Sequence, residues 1–188
     1  NEGDYKLRDK ILRILLKNTD NYVSGEMMAQ ELGISRAAVW KHMDMLKKLG
    51  CEVESKQNRG YCLKSLPDSL APEIIRSVDT TGDFIDREIK HYISVESTNV
   101  TAMELAMDGA PHGTIVIAEQ QTKGKGRLGR EWYAPEREGI YMSIILRPDM
   151  SPLDAPKITV MAALAVARTV IAQAKIKVNV KWPNDVLS

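Results

Sequence analysis

A cluster of glycine and basic residues at positions 123–130 is the part of the sequence best suited to chemistry. Three glycines and four cations stand in these eight residues, with no acid among them. Glycine lets backbone N–H groups approach an anion closely, and lysine and arginine neutralise its charge. Apolar runs typical of strands lie on both sides, at 114–118 and 140–147. We therefore expect a loop between two strands that binds a phosphate or a carboxylate.

The glycines of this loop also spell the G-x-G-x-x-G pattern of dinucleotide-binding proteins, at Gly124, Gly126 and Gly129. In a dinucleotide fold that pattern must open a helix, whose N-terminus receives the pyrophosphate. Here Pro135 and Gly139 oppose a helix, so the pattern does not indicate such a fold. A protein kinase is also excluded because no His-Arg-Asp or Asp-Phe-Gly motif follows. A flexible, solvated basic loop without a ligand remains the alternative.

The overall composition is that of an ordinary globular protein of one or two domains. The 188 residues include 26 basic and 25 acidic side chains. Residues 1–65 hold 12 basic and 9 acidic residues, against 14 and 16 in residues 66–188, so only the first part favours contact with nucleic acid. The two cysteines, Cys51 and Cys62, are expected to be reduced thiols of a cytoplasmic protein. The longest apolar run is far shorter than the roughly 18 residues of a membrane span, and we expect no membrane partner.

The first 65 residues carry the pattern of a winged helix-turn-helix. A first helix is indicated by apolar residues at helical spacing. Ser24 is placed to cap a second helix, and Ser35 to cap a third over 36–49. The three-residue turn between them contains Gly33. This order predicts a DNA-binding domain whose third helix enters the major groove.

A hairpin with a basic tip is predicted after the third helix, with strands at 51–55 and 60–63. We interpret it as the wing, and we expect DNA contacts from both the wing and the start of the third helix. A purely structural three-helix module is the alternative. The candidate DNA-binding residues are Ser35, Arg36, Trp40, Lys41, Lys56 and Arg59.

The rest of the chain is predicted to form a second domain. Prolines interrupt residues 66–72, where we place a linker between a first domain, 1–65, and a second, 73–188. Hairpins and helices alternate in the second domain, which indicates an α+β fold. A long helix over 154–174 is apolar on most sides, so we expect a sheet to cover it.

Three motifs follow one another in the second domain: Ser-Thr-Asn at 97–99, Gly-Lys-Gly-Arg-x-Gly-Arg-x-Trp at 124–132 and Lys-Trp-Pro-Asn-Asp at 181–185. In this order behind a winged helix, they resemble the biotin protein ligases, and more narrowly the bifunctional bacterial type that also represses the biotin operon. The resemblance covers essentially the whole chain. It implies an N-terminal winged helix-turn-helix followed by part of a mixed α+β catalytic domain of the biotin/lipoate-ligase type.

The resemblance implies a two-step acyl transfer. The biotin carboxylate attacks the α-phosphate of ATP, which gives biotinyl-5′-adenylate and pyrophosphate. A lysine amine of a carrier protein, such as the biotin carrier subunit of acetyl-CoA carboxylase, then attacks the mixed anhydride. No nucleophile on the enzyme is needed, and Mg²⁺ is expected with the nucleotide.

Site residues are carried over by motif. Those assigned to biotin are Ser97, Thr98, Asn99, Gln121, Gly124, Lys125, Gly126 and Arg127. Those assigned to the nucleotide are Arg130, at the phosphates, and Trp132, over the adenine. Those assigned to catalysis are Arg127, Arg130, Lys181, Asn184 and Asp185, of which Asp185 is also the expected metal ligand. Taken singly, Ser97 and Thr98 could be helix caps, Trp132 a core residue and Lys181 a solvated cation.

Departures from the family pattern put part of this in doubt. Lys125 stands where the best-known member of the family has arginine, which keeps the charge but loses a bidentate donor. Gly139 replaces a frequent asparagine, which we expect to be harmless. Family members continue beyond the position of Ser188 with a further lysine-bearing strand and a small domain. We therefore expect residues 1–188 alone to bind biotin poorly and to catalyse little.

Two other functions stay open. A small-molecule-sensing winged-helix regulator without catalysis would share the architecture but would not need Lys181 and Asp185. A lipoate-type ligase is the other candidate, although the winged helix and the basic loop argue against it. If the bifunctional reading holds, the adenylate is the corepressor, and a homodimer binds a palindromic operator.

Overall fold

The computed structural model describes residues 2–82, 86–126 and 130–188. The chain forms two compact units, Asn1–Leu146 and Arg147–Ser188. Helices and strands are mixed throughout, with a helix-turn-helix domain first, so the predicted α+β class is confirmed. The predicted boundary at 66–72 stays a prediction.

Three helices surround the first hydrophobic core: α1 (Glu2–Lys17), α2 (Gly25–Leu32) and α3 (Arg36–Lys48). Both predicted caps are present. The Ser24 hydroxyl accepts the Met27 N–H at 3.0 Å, and the Ser35 hydroxyl accepts the Ala38 N–H at 3.1 Å. Gly33 ends α2 with a φ of +66°, a conformation that favours glycine. The local signals in the sequence therefore fix both ends of the turn.

The wing is an antiparallel hairpin of β1 (Glu52–Lys56) and β2 (Gly60–Ser65), as predicted. A third segment joins it, because Val23 and Tyr61 exchange two backbone hydrogen bonds of 2.8 and 2.9 Å. The backbones are so close that a Cβ on Gly60 would lie 2.0 Å from the Val23 carbonyl oxygen. Only glycine fits at position 60. It permits the close approach in which the two hydrogen bonds hold the segment before α2 to the wing.

Cys51 precedes this hairpin and Cys62 lies in β2, and both are free thiols, as expected. Both are buried. Burial, and next the nearby Glu73 carboxylate, raise the pKa of the Cys51 thiol to about 11. The thiol therefore stays protonated and packs as a small apolar group.

The short helix α4 (Pro72–Val78) contributes to two hydrophobic cores. Ala71 and Ile74 belong to the core of the first three helices. Leu70 and Ile75 pack instead against a second core formed by strand residues. Helix α4 also forms an ion pair with α1, since Glu73 of α4 lies 3.1 Å from Arg8 of α1, and both side chains are buried.

The second core lies on a three-stranded sheet of order β3-β4-β5, with β3 (Ile89–Tyr92), β4 (Ile115–Ala118) and β5 (Tyr141–Ile144). The first pair is parallel and the second antiparallel. All four residues of β4 are buried, as expected for a central strand. Helix α5 (Thr98–Met107) connects the parallel pair and packs on β4 and β5. The predicted strands on either side of the basic loop are confirmed, with shorter bounds.

In the unit Arg147–Ser188, a 3-10 turn at Pro152–Asp154 leads into α6 (Ala155–Ala174) and a hairpin of β6 (Asn179–Lys181) and β7 (Asp185–Leu187). Within this unit, no sheet covers α6 in the way that the sequence led us to expect. Only Ala163 and Ala167 of this helix are buried. Two strands of three residues are too short to cover a helix of twenty.

The segment Pro152–Ala174 is long and apolar enough to cross a membrane by length and composition alone. Its most apolar window has a mean hydropathy of 1.5. Core helices of soluble proteins pass the same criterion, so one such helix is weak evidence for a membrane span.

Candidate functional site

Three polar side chains from separate segments meet at the start of α5. Gln121 Oε1 accepts hydrogen bonds from the Thr98 N–H at 2.7 Å and from the Thr98 hydroxyl at 3.0 Å. The Ser143 hydroxyl donates to Thr98 Oγ1 at 3.0 Å. Thr98 is 4% exposed, while Gln121 and Ser143 are half-buried. The fold thus brings together two predicted biotin-binding residues and adds Ser143, which the sequence analysis did not select.

Ser97 and Asn99 flank this group. Ser97 occupies the N-cap position of α5, yet within the described residues its side chain makes no capping hydrogen bond. The hydroxyl is half-buried and can bond to a ligand, so the interpretation as a mere helix cap loses support. Asn99 is exposed in the first turn of α5.

The described parts of the basic loop, before residue 127 and from residue 130 on, lie side by side as two arms. The Trp132 N–H donates to the Gly124 carbonyl at 2.9 Å, and the Gly126 N–H donates to the Arg130 carbonyl at 2.8 Å. A Cβ on Gly124 would lie 2.9 Å from the Trp132 carbonyl oxygen and 3.4 Å from Gln121 Nε2. The close approach of the two arms therefore depends on glycine at position 124. The same approach places this part of the loop beside Gln121.

The loop is anchored at its base to the segment before α5. Backbone N–H groups of Thr122 and Lys123 donate to the carbonyls of Val95 and Glu96, at 2.9 and 2.8 Å. The Lys123 ammonium also pairs with the Glu96 carboxylate at 2.5 Å. One of the four cations is thus already neutralised and serves to hold the loop.

The remaining cations of the loop have different placements. Lys125 and Arg130 are exposed on the two arms of the loop. Arg127, predicted at both the biotin and the catalytic site, lies outside the described residues, as does Gly129. Trp132 is 62% exposed, so it is not a core residue. An exposed indole next to cations can stack on a base.

The residues of the Lys-Trp-Pro-Asn-Asp motif form the β6–β7 hairpin. Lys181 Nζ lies 3.8 Å from Asp185 Oδ2, and Asn184 Nδ2 donates to Asp185 Oδ1 at 3.0 Å. The Trp182–Pro183 peptide bond is cis. Lys181 and Asp185 are exposed, and Asn184 lines an apolar hollow of about 510 Å³ on α6. These polar groups are available to a charged ligand.

A further polar cluster lies next to the ligand residues, at Glu119. Its carboxylate accepts the Leu70 N–H at 3.0 Å and lies 2.9 Å from His91 Nε2. Burial raises the pKa of the Glu119 carboxyl, but the hydrogen bonds from His91 and Leu70 outweigh it, so the pKa lies below its ordinary value. Glu119 thus remains ionised and ties the linker to the end of β4. The sequence analysis did not select it, because its partners are distant in sequence.

Two of the predicted DNA-binding residues at α3 line an open groove. Arg36 and Trp40 are among the residues around this cavity of about 780 Å³ between α3 and the wing. Trp40 is 65% exposed, and Lys41 is exposed beside it. Arg36 lies 3.5 Å from Glu26 in a solvent-exposed pair, which contributes little and can exchange for a phosphate. Ser35 is at the groove's edge as the cap of α3.

The two basic residues at the wing tip share an aromatic neighbour that the sequence analysis missed. Lys56 Nζ lies 4.9 Å and the Arg59 guanidinium 5.0 Å from the ring centre of Tyr22. These distances are typical of cation–π interactions. Tyr22 precedes Val23, which pairs with the wing, so it holds both cations at the groove. No spacing pattern connects a residue before α2 with a hairpin more than thirty residues later.

Two family models match the chain. An HTH domain model covers residues 8–62, and the model of the biotin/lipoate A/B protein ligase family covers residues 92–188. The first range contains the groove between α3 and the wing. The second contains the three motifs at 97–99, 124–132 and 181–185.

Curated relatives match most of the chain. The bifunctional ligase/repressor BirA of Bacillus spizizenii is 40% identical over 96% of this chain and 55% of its own length. The protein of the same name from Escherichia coli is 30% identical over 92% of this chain and 52% of its own length. A biotin–[acetyl-CoA-carboxylase] ligase of Mycobacterium tuberculosis is 37% identical over 54% of this chain and 40% of its own length.

This chain spans about half the length of the relatives with which it shares both parts. The ligase-family match alone covers more than half of the chain, from β3 through the β6–β7 hairpin. With its helix-turn-helix domain in front, the chain belongs to the biotin/lipoate A/B protein ligase family.

Proposed function

We propose that the protein is a biotin–protein ligase that also acts as a DNA-binding repressor. As a ligase, it activates biotin with ATP to biotinyl-5′-adenylate and transfers biotin to a lysine of a carrier protein such as the carrier subunit of acetyl-CoA carboxylase. As a repressor of biotin genes, it uses the adenylate as corepressor. Family membership supports the class of reaction, and the activity of the whole protein is the proposal.

The observation that carries the ligase proposal is the joined group of Thr98 and Gln121 beside Gly124. It offers short polar contacts next to backbone of the basic loop, which suits a small ligand with a polar ring and a carboxylate. Ser97 and Asn99 add further polar contacts at the helix start. We assign this region to the ureido ring of biotin.

The chemistry needs charge stabilisation and positioning, since the biotin carboxylate is itself the nucleophile. Lys125, Arg127 and Gly126 are assigned to the activated carboxylate, and Arg130 to the nucleotide phosphates. Fixed cations beside the reacting phosphorus lower the barrier because the charge that develops there is already solvated by the protein. The exposed Trp132 suits stacking on adenine.

Mg²⁺ is proposed to accompany ATP and to neutralise its phosphate charge. Among the described residues, no group of three or more histidine, cysteine, aspartate or glutamate side chains could hold a metal ion. Mg²⁺ takes few protein ligands and binds mainly phosphate oxygens and water, so a single carboxylate suits this role. Asp185 is the assigned ligand, and its Lys181 partner, at 3.8 Å, is assigned to the phosphates together with Asn184.

The repressor proposal rests on the groove between α3 and the wing. Four cations, Arg36, Lys41, Lys56 and Arg59, lie on or beside it and suit the DNA backbone. We propose a homodimer that places two such grooves on a palindromic operator, in a cytoplasmic protein without a membrane partner.

The test is pyrophosphate release by the full-length protein with ATP and either biotin, lipoate or octanoate. Pyrophosphate release with biotin, but not with lipoate or octanoate, supports the ligase. The Lys181→Met variant is expected to release pyrophosphate at least tenfold more slowly because it loses a phosphate contact. Biotin binding without any pyrophosphate favours the non-catalytic sensor. Release with lipoate or octanoate instead of biotin favours the lipoate-type ligase.

A further inference from the structure

The hydrogen bonds between Thr98 and Gln121 determine which way the Gln121 amide faces. A backbone N–H can only donate, so the amide atom 2.7 Å from the Thr98 nitrogen must be the carbonyl oxygen. The amide nitrogen Nε2 then faces the loop, where it lies 3.4 Å from the position of a Cβ on Gly124. Gln121 therefore offers a donor on the side of Gly124.

The direction of the two hydroxyl bonds follows from the same atom. The Thr98 hydroxyl lies 3.0 Å from Gln121 Oε1, which can only accept, so this hydroxyl donates its single proton there. Its oxygen must then accept the bond of 3.0 Å from the Ser143 hydroxyl. The protons are ordered in one direction, from Ser143 through Thr98 to Gln121.

Both lone pairs of Gln121 Oε1 are used in this arrangement, one by the Thr98 N–H and one by its hydroxyl. If Ser143 did not donate to Thr98, the Thr98 hydroxyl could turn to donate elsewhere, and the amide would lose one of the two bonds that orient it. Ser143 comes from β5, which is outside all three sequence motifs. It therefore acts on the site through Thr98 without belonging to the motif residues.

We propose that Ser143 is a positioning residue that fixes Gln121 as a hydrogen-bond donor, so that the site demands an acceptor oxygen on its ligand at that point. The inference rests on the proposed function, under which the acceptor is the ureido carbonyl oxygen of biotin. A ligand with N–H groups in place of that oxygen is rejected, because two donors then face each other.

The first test measures binding of biotin and of 2-iminobiotin to the full-length protein by calorimetry at neutral pH, where 2-iminobiotin is a guanidinium that offers only N–H donors in place of the ureido oxygen. The wild-type protein is expected to prefer biotin. Ser143→Ala is expected to bind biotin about tenfold more weakly and to lose part of that preference, since the amide is then oriented mainly by the Thr98 N–H and is held less firmly. Ser143→Thr keeps the hydroxyl and is expected to retain the wild-type affinity for biotin and the wild-type preference over 2-iminobiotin.

The matched control is Thr122→Val, which removes a hydroxyl one residue from Gln121 whose only described bond, of 3.4 Å, goes to the Val95 carbonyl. It is expected to leave the affinity for biotin and the preference over iminobiotin unchanged. A Ser143→Ala protein that keeps the wild-type ratio of the two affinities, whether or not both fall, would overturn the proposal.

The second test needs no ligand and separates this proposal from the proposed function. Hydrogen exchange of the Thr98 N–H, followed by NMR, is expected to quicken in Ser143→Ala and to stay at the wild-type rate in Ser143→Thr and Thr122→Val. If the wild-type protein does not bind biotin, the proposed function fails. The exchange rates of the Thr98 N–H then decide by themselves whether Ser143 positions Thr98 and Gln121. Unchanged exchange in Ser143→Ala contradicts its role.

Discussion

Gly124 illustrates how one missing side chain shapes the ligand loop. A methyl group there would meet the Trp132 carbonyl oxygen at 2.9 Å, closer than real Cβ atoms approach backbone. At Gly126 the nearest atom, the Arg130 carbonyl oxygen, would lie 3.6 Å away, in ordinary contact. The two glycines of one motif thus have different tasks. The first is required by the close approach of the two arms, whereas the second is free to serve a ligand.

This difference gives a prediction at the residue scale. Gly124→Ala is expected to force the two arms of the loop apart, at a cost of about 1–3 kcal/mol, because the obstacle is backbone. Hydrogen exchange of the Trp132 N–H, which donates to the Gly124 carbonyl, should quicken by about tenfold or more. Gly126→Ala is the matched control and should leave that exchange nearly unchanged. Equal rates in the two variants would argue against the steric explanation.

At the scale of elements, the wing depends on Tyr22 for the placement of its two cations. Binding to DNA releases about 0.9 counterions for each phosphate neutralised, so the slope of log affinity against log salt counts the contacts. Tyr22→Ala is expected to reduce the magnitude of this slope by about one to two, because Lys56 and Arg59 are no longer held at the groove. Filter-binding or anisotropy titrations over a salt series measure it.

Tyr22→Phe serves as the control for the wing, because it keeps the ring over which both cations lie. It is expected to preserve the wild-type slope. Tighter binding in Tyr22→Ala would mean that the ring withholds the cations from DNA, and it would refute the positioning role.

Helices α1 and α4 meet through charged groups, and one of them is expected to titrate in an accessible range. Burial raises the pKa of the Asp9 carboxyl to about 6. The Arg76 guanidinium, 3.7 Å away, lowers this pKa but only partly offsets the effect of burial. The folded protein therefore holds a proton that the unfolded chain, with an ordinary aspartate pKa of 3.8, releases earlier. Asp9 thus favours folding below about pH 4, and this contribution is lost as the pH rises to 6.

The corresponding prediction concerns Asp9→Asn, which cannot titrate. The free energy of unfolding of the wild-type protein, minus that of Asp9→Asn, should fall as the pH rises from 4 to 6 and then level off. Urea unfolding at several pH values measures both proteins, and titrations elsewhere cancel in the difference. A difference that rises over this range would have the wrong sign for a buried carboxyl with a raised pKa.

At the scale of the whole molecule, α4 links the helix-turn-helix to the three-stranded sheet β3-β4-β5. Ile74 is 7% exposed in the first core, while its neighbour Ile75 packs on the second. Ile74→Ala is expected to lower stability by about 2–4 kcal/mol and to speed hydrogen exchange mainly in α1. Ile75→Ala should speed it mainly in β3 and β4. If both variants loosened the same strands, the division of α4 between two cores would be wrong.

The sequence predicted those parts of the molecule whose signals are local. The caps at Ser24 and Ser35, the wing and the strands around the basic loop have residue patterns within a few positions of one another, and the structure confirms them. The resemblance assigned Thr98 and Gln121 to biotin, which stays a prediction; the structure shows that the two residues are bonded to each other.

Other features depend on contacts between distant residues and left no local pattern. Ser143, Tyr22 and Glu119 act through partners more than twenty residues away. Strand β7 has only three residues, of which Asp185 also ends the Lys-Trp-Pro-Asn-Asp motif, too few for a strand pattern to be visible. The cover expected for α6 was inferred from composition, which records what a helix can bury but not what lies against it.

The division of α4 between two cores has a consequence for engineering the protein. A chimera that exchanges the helix-turn-helix head for another must take its cut after Val78, because a cut at residues 66–72 would strip Ile74 from the head and leave Glu73 without its Arg8 partner. The Glu119 contact sets a second condition, since the incoming head must supply an N–H in place of that of Leu70. The unit that can be exchanged is therefore longer than the helix-turn-helix itself.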